Sequence, residues 1–241
     1  MYKNLIKALS ITALIAGSQV ASASPTYQYD RGAGVFGGAN NVLAYDSITA
    51  SYNTGTEAFS FEVDYAGNAA EGGWLVVSHG DNPKNSTSEL GIAYFDATSG
   101  NTWVYAYNGQ NSSNSWETMD FLGFFANSYT TVGDVATLSF DTSSFSSQLD
   151  TGFSFGTNIG IWFHPSASLF ITGDSNGLTN FSANAQGFLD TSNDADCSDP
   201  NTGCITTVPE PSVLLLLTLG AGILFYSRRR SPRVVQQGLA A

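Results

Sequence analysis

Residues 56–65 read T-E-A-F-S-F-E-V-D-Y, and this stretch decides the fold class of the chain. Its bulky apolar side chains occupy every second position, with polar side chains between them. The apolar positions are Phe59, Phe61, Val63 and Tyr65. Because successive side chains of a β-strand point to opposite faces, the alternation predicts a strand with one face buried and the other in water.

Eight more stretches carry strand-like apolar patterns, and loops rich in Gly, Asn, Ser and Asp separate them. They are residues 42–52, 74–79, 90–96, 102–107, 135–141, 153–163, 169–172 and 178–189. No window keeps the 3.6-residue apolar period of an amphipathic helix, and no repeat of fixed length argues for a solenoid or propeller. We therefore predict one all-β domain over residues 24–189, an antiparallel β-sandwich or jelly roll.

The charge distribution excludes one class of partner. Charged residues make up 12% of the 241 residues, about half of the roughly 25% that is usual in soluble domains. Residues 24–208 contain two basic side chains, Arg31 and Lys84, against 19 acidic ones, which are all of the chain's 20 except Glu210. A body with this balance repels phosphate groups, so nucleic acid is not expected as a partner.

The N-terminus has the three parts of a secretory signal peptide. Lys3 and Lys7 supply a positive start, residues 5–16 are mostly apolar, and Ala21-Ser22-Ala23 offers small residues at an A-x-A cleavage site. We predict a signal peptide over residues 1–23, cleaved before Ser24. The alternative is an amphipathic first helix of the fold.

The C-terminus also has three parts. Val208-Pro209-Glu210-Pro211-Ser212 precedes an apolar run over residues 213–226, and Arg228-Arg229-Arg230 follows it. A 14-residue helix rises about 21 Å against a hydrocarbon core of about 30 Å, so the run predicts a short transmembrane helix. The Arg cluster acts as a membrane stop on the cytoplasmic side, with residues 231–241 as a cytoplasmic tail. An ordinary anchor helix is the alternative.

Residues 208–230 resemble the PEP-CTERM protein-sorting domain, whose tail has also been labelled an ice-binding protein C-terminal domain. The resemblance covers the tail alone and leaves the body unassigned. It implies an exopolysaccharide-producing Gram-negative bacterium in which an exosortase, a membrane processing enzyme, recognises Pro209, Glu210 and Pro211. It also implies export through an inner-membrane intermediate to the cell surface or extracellular matrix. The 11 residues after the Arg cluster, 231–241, are more than such tails usually carry.

The polar segment 190–207 reads as a stalk between the body and the sorting signal. Its Cys197 and Cys204 are the only cysteines, and in an exported protein they predict a local disulfide rather than a metal or redox site. Four acidic residues of the same segment offer oxygen ligands for Ca2+, namely Asp190, Asp194, Asp196 and Asp199. Their spacing lacks the glycine and the closing glutamate of a calcium loop, so we expect solvated linker acids and no cofactor, with Ca2+ as the alternative.

Glu62 and Asp64 are two residues apart on one strand face, about 6.6 to 6.8 Å between Cα atoms. Paired carboxylates can hydrolyse glycosides. The run resembles the E-x-D-x-x-E strand of jelly-roll glucanases, but Gly67 stands where the second glutamate would be. We therefore expect no catalytic residue here, with a glycan-cleaving enzyme as the alternative.

The two histidines, His79 and His164, each end an apolar stretch and are expected in turn or capping roles. They would form a metal site with Asp81 only if the strand ends were neighbours.

A candidate ligand surface is aromatic. Trp103, Tyr105 and Tyr107 share one strand face, and Trp116 lies among Asn and Ser. Such rings can stack on sugars, which predicts a polysaccharide platform; the alternative is that the strand face belongs to the core.

Together these patterns predict an exported, exosortase-sorted surface or matrix protein. Its body is expected to be a non-catalytic structural or carbohydrate-binding module of the exopolysaccharide or biofilm layer. The alternative function is a glycan-cleaving jelly-roll enzyme that uses Glu62 and Asp64.

Overall fold

A computed structural model describes residues 24–38, 43–78, 83, 90–107, 109, 112–148, 153–191 and 203–208. The predicted signal peptide, the Pro-Glu-Pro residues, the apolar run, the Arg cluster and the predicted tail lie outside these residues. Also outside them are Ala21, Ala23, His79, Asp81, Asp194, Asp196, Cys197, Asp199, Pro209, Glu210, Pro211, Arg228, Arg229 and Arg230. Residues Ser24–Pro209 form one compact unit.

The described residues form 14 strands, two short 3-10 helices and no α-helix. The strands are β1 (Thr26–Arg31), β2 (Gly34–Val35), β3 (Ala44–Asn53), β4 (Ala58–Tyr65), β5 (Gly72–Ser78), β6 (Leu90–Asp96), β7 (Thr102–Tyr107), β8 (Phe121–Phe125), β9 (Tyr129–Val132), β10 (Val135–Asp141), β11 (Gly160–Asp174), β12 (Gly177–Ala185), β13 (Leu189–Asp190) and β14 (Cys204–Val208). The 3-10 helices are Ser112–Glu117 and Ser146–Gln148. Among these residues, no helix has the length and apolarity that crossing a membrane requires.

The strands build two antiparallel sheets of seven strands each. Sheet 1 has the order β14-β1-β3-β4-β10-β9, with β2 beside β3. Sheet 2 has the order β12-β11-β5-β6-β7-β8, with β13 beside β11. The all-β antiparallel prediction is therefore confirmed, whereas these strand orders do not single out a jelly roll.

The main core joins the facing sides of the two sheets. The predicted alternation of β4 is confirmed, since its four bulky residues are buried and face this core. Phe163 of β11 is 1% exposed, and its ring centroid lies 5.0 Å from that of Phe61 and 6.1 Å from that of Phe95. Since Phe61 belongs to sheet 1 and Phe95 to sheet 2, one aromatic stack connects both sheets, as in a β-sandwich.

A second aromatic cluster lies on the other side of sheet 2. Strands β5, β6 and β7 are buried on both faces, so they read as nearly continuous apolar runs rather than alternating ones. The helix Ser112–Glu117 and strand β12 contact this outer side. Sheet 2 is therefore a middle layer, with the main core on one face and the second cluster on the other.

Several predicted boundaries were wrong. The predicted strand 153–163 begins only at Gly160, and β11 then continues to Asp174, across the gap between two predicted strands. The predicted strand 178–189 is divided into β12 and β13. Phe153 has a φ of 61°, a left-handed conformation that a strand cannot hold, although its side chain is fully buried.

Candidate functional site

The C-terminal strand of the body pairs with its N-terminal strand. In the antiparallel ladder Val208 lies opposite Thr26, and Cys204 lies opposite Asp30. Strand β1 in turn pairs with β3. The residues that follow the predicted signal-peptide cleavage site and those that precede Pro209 therefore meet at one end of one sheet edge.

The predicted stalk is wrong over its last residues. Cys204–Val208 is a strand of sheet 1, and Ile205 packs against the main core. Gly203 makes this possible because a Cβ at that position would overlap the ring of Tyr29. Cys204 is disulfide-bonded, and Cys197, the other cysteine of the sequence, lies outside the described residues. The folded body thus continues to within one residue of Pro209.

The three strand residues predicted as a ligand surface are buried. Trp103, Tyr105 and Tyr107 do share a face, but that face belongs to the second cluster and is at most 4% exposed. The Trp103 Nε1–H donates to the carbonyl of Asp174 at 3.0 Å, and the Leu178 N–H donates to the Tyr105 hydroxyl at 2.6 Å. Burial raises the pKa of Tyr107 to about 12. The platform prediction is therefore wrong for these three residues, because β11 and β12 cover them.

Trp116 is also not an isolated surface ring. It lies in the 3-10 helix Ser112–Glu117, is half-buried and packs against the second cluster. Its short polar neighbours in the sequence predicted an exposed side chain. That prediction failed because the sequence does not show that this helix covers sheet 2.

An unpredicted group of partly exposed aromatic residues lies on the same side of sheet 2. Trp162, His164 and Phe188 form this aromatic patch. The His164 ring centroid lies 5.2 Å from that of Trp162 and 5.5 Å from that of Phe188. On the neighbouring strand β5, the ring of Trp74 stacks on His164, with 4.5 Å between the ring centroids and 16° between the planes. The patch is held by stacked rings on adjacent strands.

His164 is not a turn or capping residue, so that prediction was wrong. It lies within β11, directly opposite Trp74 of β5. Trp162 lies opposite Asp190 of β13, which brings a carboxylate beside the patch. The alternation of Ile161 and Phe163 with Trp162 and His164 was the signal that could have placed these two rings on one face.

Glu62 and Asp64 lie on the outer face of sheet 1, away from the aromatic patch. Glu62 is exposed and accepts a hydrogen bond from the Thr137 hydroxyl at 3.2 Å. Its neighbour on β3 is Thr49, which donates to Asp30 at 3.0 Å. Gly67 has no atom within 4 Å of the position that a Cβ would take. On the two neighbouring strands, Glu62 therefore lies opposite Thr49 and Thr137, whereas Asp64 lies opposite Ser47 and Val135. Asp30 lies two strands away from Glu62.

Within the described parts of the chain, no three His, Cys, Asp or Glu side chains are grouped as a metal site would require. Of the acidic residues considered for Ca2+, only Asp190 is described.

Comparison with protein families identifies a PEP-CTERM protein-sorting motif at residues 207–231. The match agrees with the predicted segment 208–230 to within one residue at each end. No curated protein and no solved structure matches the chain. The motif implies processing by an exosortase, which is a membrane enzyme, and indicates export and sorting toward the cell surface.

Proposed function

We propose that the body is a non-catalytic structural or carbohydrate-binding module of the extracellular exopolysaccharide layer. The sorting motif supports the location, because it directs an exported protein toward the cell surface. The aromatic patch supports the binding role and is the observation on which the proposal mainly depends. No cofactor is part of this proposal.

The patch has the properties of a sugar-stacking surface. Trp162 and Phe188 are each partly exposed, and contacts with His164 restrict both rings. Restricted rings lose little conformational entropy when a ligand covers them. Sugars present apolar C–H faces that suit such rings, and the Asp190 carboxylate beside Trp162 can accept hydrogen bonds from sugar hydroxyls.

The acidic charge of the body restricts which polysaccharides we expect it to bind. The body contains 19 acidic residues and two basic ones, so it repels carboxylated or sulfated polymers at low salt. We therefore expect neutral or amine-bearing polysaccharides to bind better than anionic ones.

The binding role can be tested with a glycan array on the exported protein, with and without Ca2+. Trp162→Leu keeps an apolar side chain at the half-buried position but removes the flat ring. We expect it to weaken glycan binding about tenfold, which corresponds to about 1.4 kcal/mol. Phe170→Ala is the matched control, since Phe170 lies on the same strand, is 59% exposed and is not part of the patch. Equal binding by both variants and the unmodified protein would exclude the patch as the binding surface.

A glycan-cleaving enzyme is the second candidate function. The observation that favours it is the row Asp30, Thr49, Glu62 across three neighbouring strands, which adds a third carboxylate to the Glu62 and Asp64 pair. Strand spacing puts the Asp30 and Glu62 Cα atoms about 9.6 Å apart. Gln28 and Thr49 both donate hydrogen bonds to Asp30, which fix the position of its carboxyl group beside Thr49.

The sorting role has its own test. Replacing Pro209, Glu210 and Pro211 together by alanine should leave export intact and stop processing, so that full-length protein accumulates in the inner membrane. Pro232→Ala is the control, because that proline lies in the same tail but outside the matched residues. Replacing Arg228, Arg229 and Arg230 by neutral residues should weaken membrane retention. Normal maturation of the triple-alanine protein would favour a plain membrane anchor.

A further inference from the structure

We infer that the outer edge of β14 is the surface on which the exosortase docks. The enzyme would then bind the sorting motif at the point where the motif continues from sheet 1. This inference rests on the exosortase processing that the motif implies.

The motif and the strand overlap. The matched segment begins at Thr207, whereas β14 ends at Val208. Thr207 lies opposite Tyr27 in the ladder, and Val208 lies opposite Thr26. An enzyme that binds the start of the matched segment therefore contacts residues that are already paired within the sheet.

Strand β14 has a side on which another strand can pair. It is the terminal strand of sheet 1, and β1 is its neighbour among the described strands. A terminal strand presents one row of backbone N–H and C=O groups away from its sheet, to which a partner can add an extended segment. The side chains of Thr206, Thr207 and Val208 are exposed.

The sequence of β14 does not protect that edge. It reads C-I-T-T-V, without a charge or a proline, and its five pairs with β1 show no bulge. Natural edge strands commonly use charges, prolines or bulges to prevent pairing with other chains. Four of the five residues are β-branched, which favours an extended backbone.

The chain between β14 and the apolar run is short, so an exosortase that binds this chain lies close to β14. Four residues, 209–212, separate Val208 from the run that begins at Val213. Even when fully extended they span only about 14 Å. A membrane enzyme that reaches the Pro-Glu-Pro residues must therefore work beside β14.

The first test asks whether β14 stays in the sheet during processing. Gln28 and Thr206 lie directly opposite each other, so the double variant Gln28→Cys with Thr206→Cys can cross-link β14 to β1. We expect the oxidised double variant to be processed at the same rate as each single variant. Loss of processing in the cross-linked protein alone would overturn the inference, because it would show that β14 must leave the sheet.

The second test blocks the edge. Thr206→Lys puts a charge on β14, and we expect processing to slow about tenfold, equivalent to about 1.4 kcal/mol of docking free energy. Thr130→Lys is the matched control, since Thr130 is an exposed threonine on β9, the opposite terminal strand of sheet 1. A normal rate for Thr206→Lys, or an equal delay in both variants, would contradict docking at β14.

The two proposals can fail separately. If the triple-alanine variant at Pro209, Glu210 and Pro211 still matures, exosortase processing itself is wrong and the docking inference is wrong with it. If that variant stays unprocessed while Thr206→Lys matures normally, only the docking inference fails.

Discussion

Truncation of Phe163 should remove the aromatic stack that connects the two sheets. Phe163 is 1% exposed and contacts Phe36 at 5.5 Å and Phe61 at 5.0 Å between ring centroids. A buried Phe removes about 150–250 Å² from water, worth up to about 4–6 kcal/mol at about 25 cal/mol per Å². Since alanine keeps part of this area, we expect Phe163→Ala to lower the free energy of unfolding by about 3–5 kcal/mol.

The assay is urea unfolding of residues 24–208 followed by tryptophan fluorescence, with thermal unfolding as a second readout. For a domain of this size the expected loss corresponds to a fall in Tm of about 6–20 °C. Phe170→Ala is the control, because Phe170 lies on the same strand but is 59% exposed, and its loss should stay within about 0.5 kcal/mol. If both variants lost similar stability, Phe163 would not lie in a core shared by two sheets.

Three further predictions concern folding, pH and the carboxylate pair. Residues 24–208 should fold without either end, because they contain both hydrophobic clusters; a helical or random-coil circular dichroism spectrum would contradict this. Stability should fall as the pH rises above about 10, because burial raises the pKa of Tyr107 to about 12 and raises those of Tyr65 and Tyr129 as well. These phenols stay protonated in the folded protein while the unfolded chain ionises, so Tm measured from pH 8 to pH 11 should decrease, and a flat profile would refute their burial. Glu62→Gln and Asp64→Asn should leave glycan binding and fold unchanged; loss of a measurable glycan hydrolysis in either variant would instead support the enzyme.

Local patterns predicted strands of both kinds, namely β4 with one buried face and β5, β6 and β7 with two. The alternation in β4 sufficed because one face of that strand meets the core and the other meets water. The same reasoning could not decide whether a ligand surface or the core contains Trp103, Tyr105 and Tyr107, since both faces of β7 are covered. Their cover comes from β11, from β12 and from the helix Ser112–Glu117, and no local period shows which distant segment will pack there.

Strand β14 was missed for a related reason. Its sequence is polar apart from Ile205 and Val208, and its partner β1 lies almost the whole body away along the chain. Residues that look like a linker pair with β1, and a Cβ at position 203 would overlap the ring of Tyr29. The sorting segment, in contrast, was predictable because its signal is a contiguous sequence that needs no tertiary contact.

The antiparallel pairing of β14 with β1 also determines how the body would respond to tension. A pull applied through Pro209 enters the sheet at Val208, the last residue of β14, opposite Thr26. The force therefore separates the residue pairs between β14 and β1 one after another, rather than loading all five pairs together in shear. The opening would proceed from Val208 through Thr207 and Thr206 to Ile205, which packs against the main core. A protein tethered at this corner would therefore lose its last three pairs first, and its main core would begin to carry force when the opening reached Ile205.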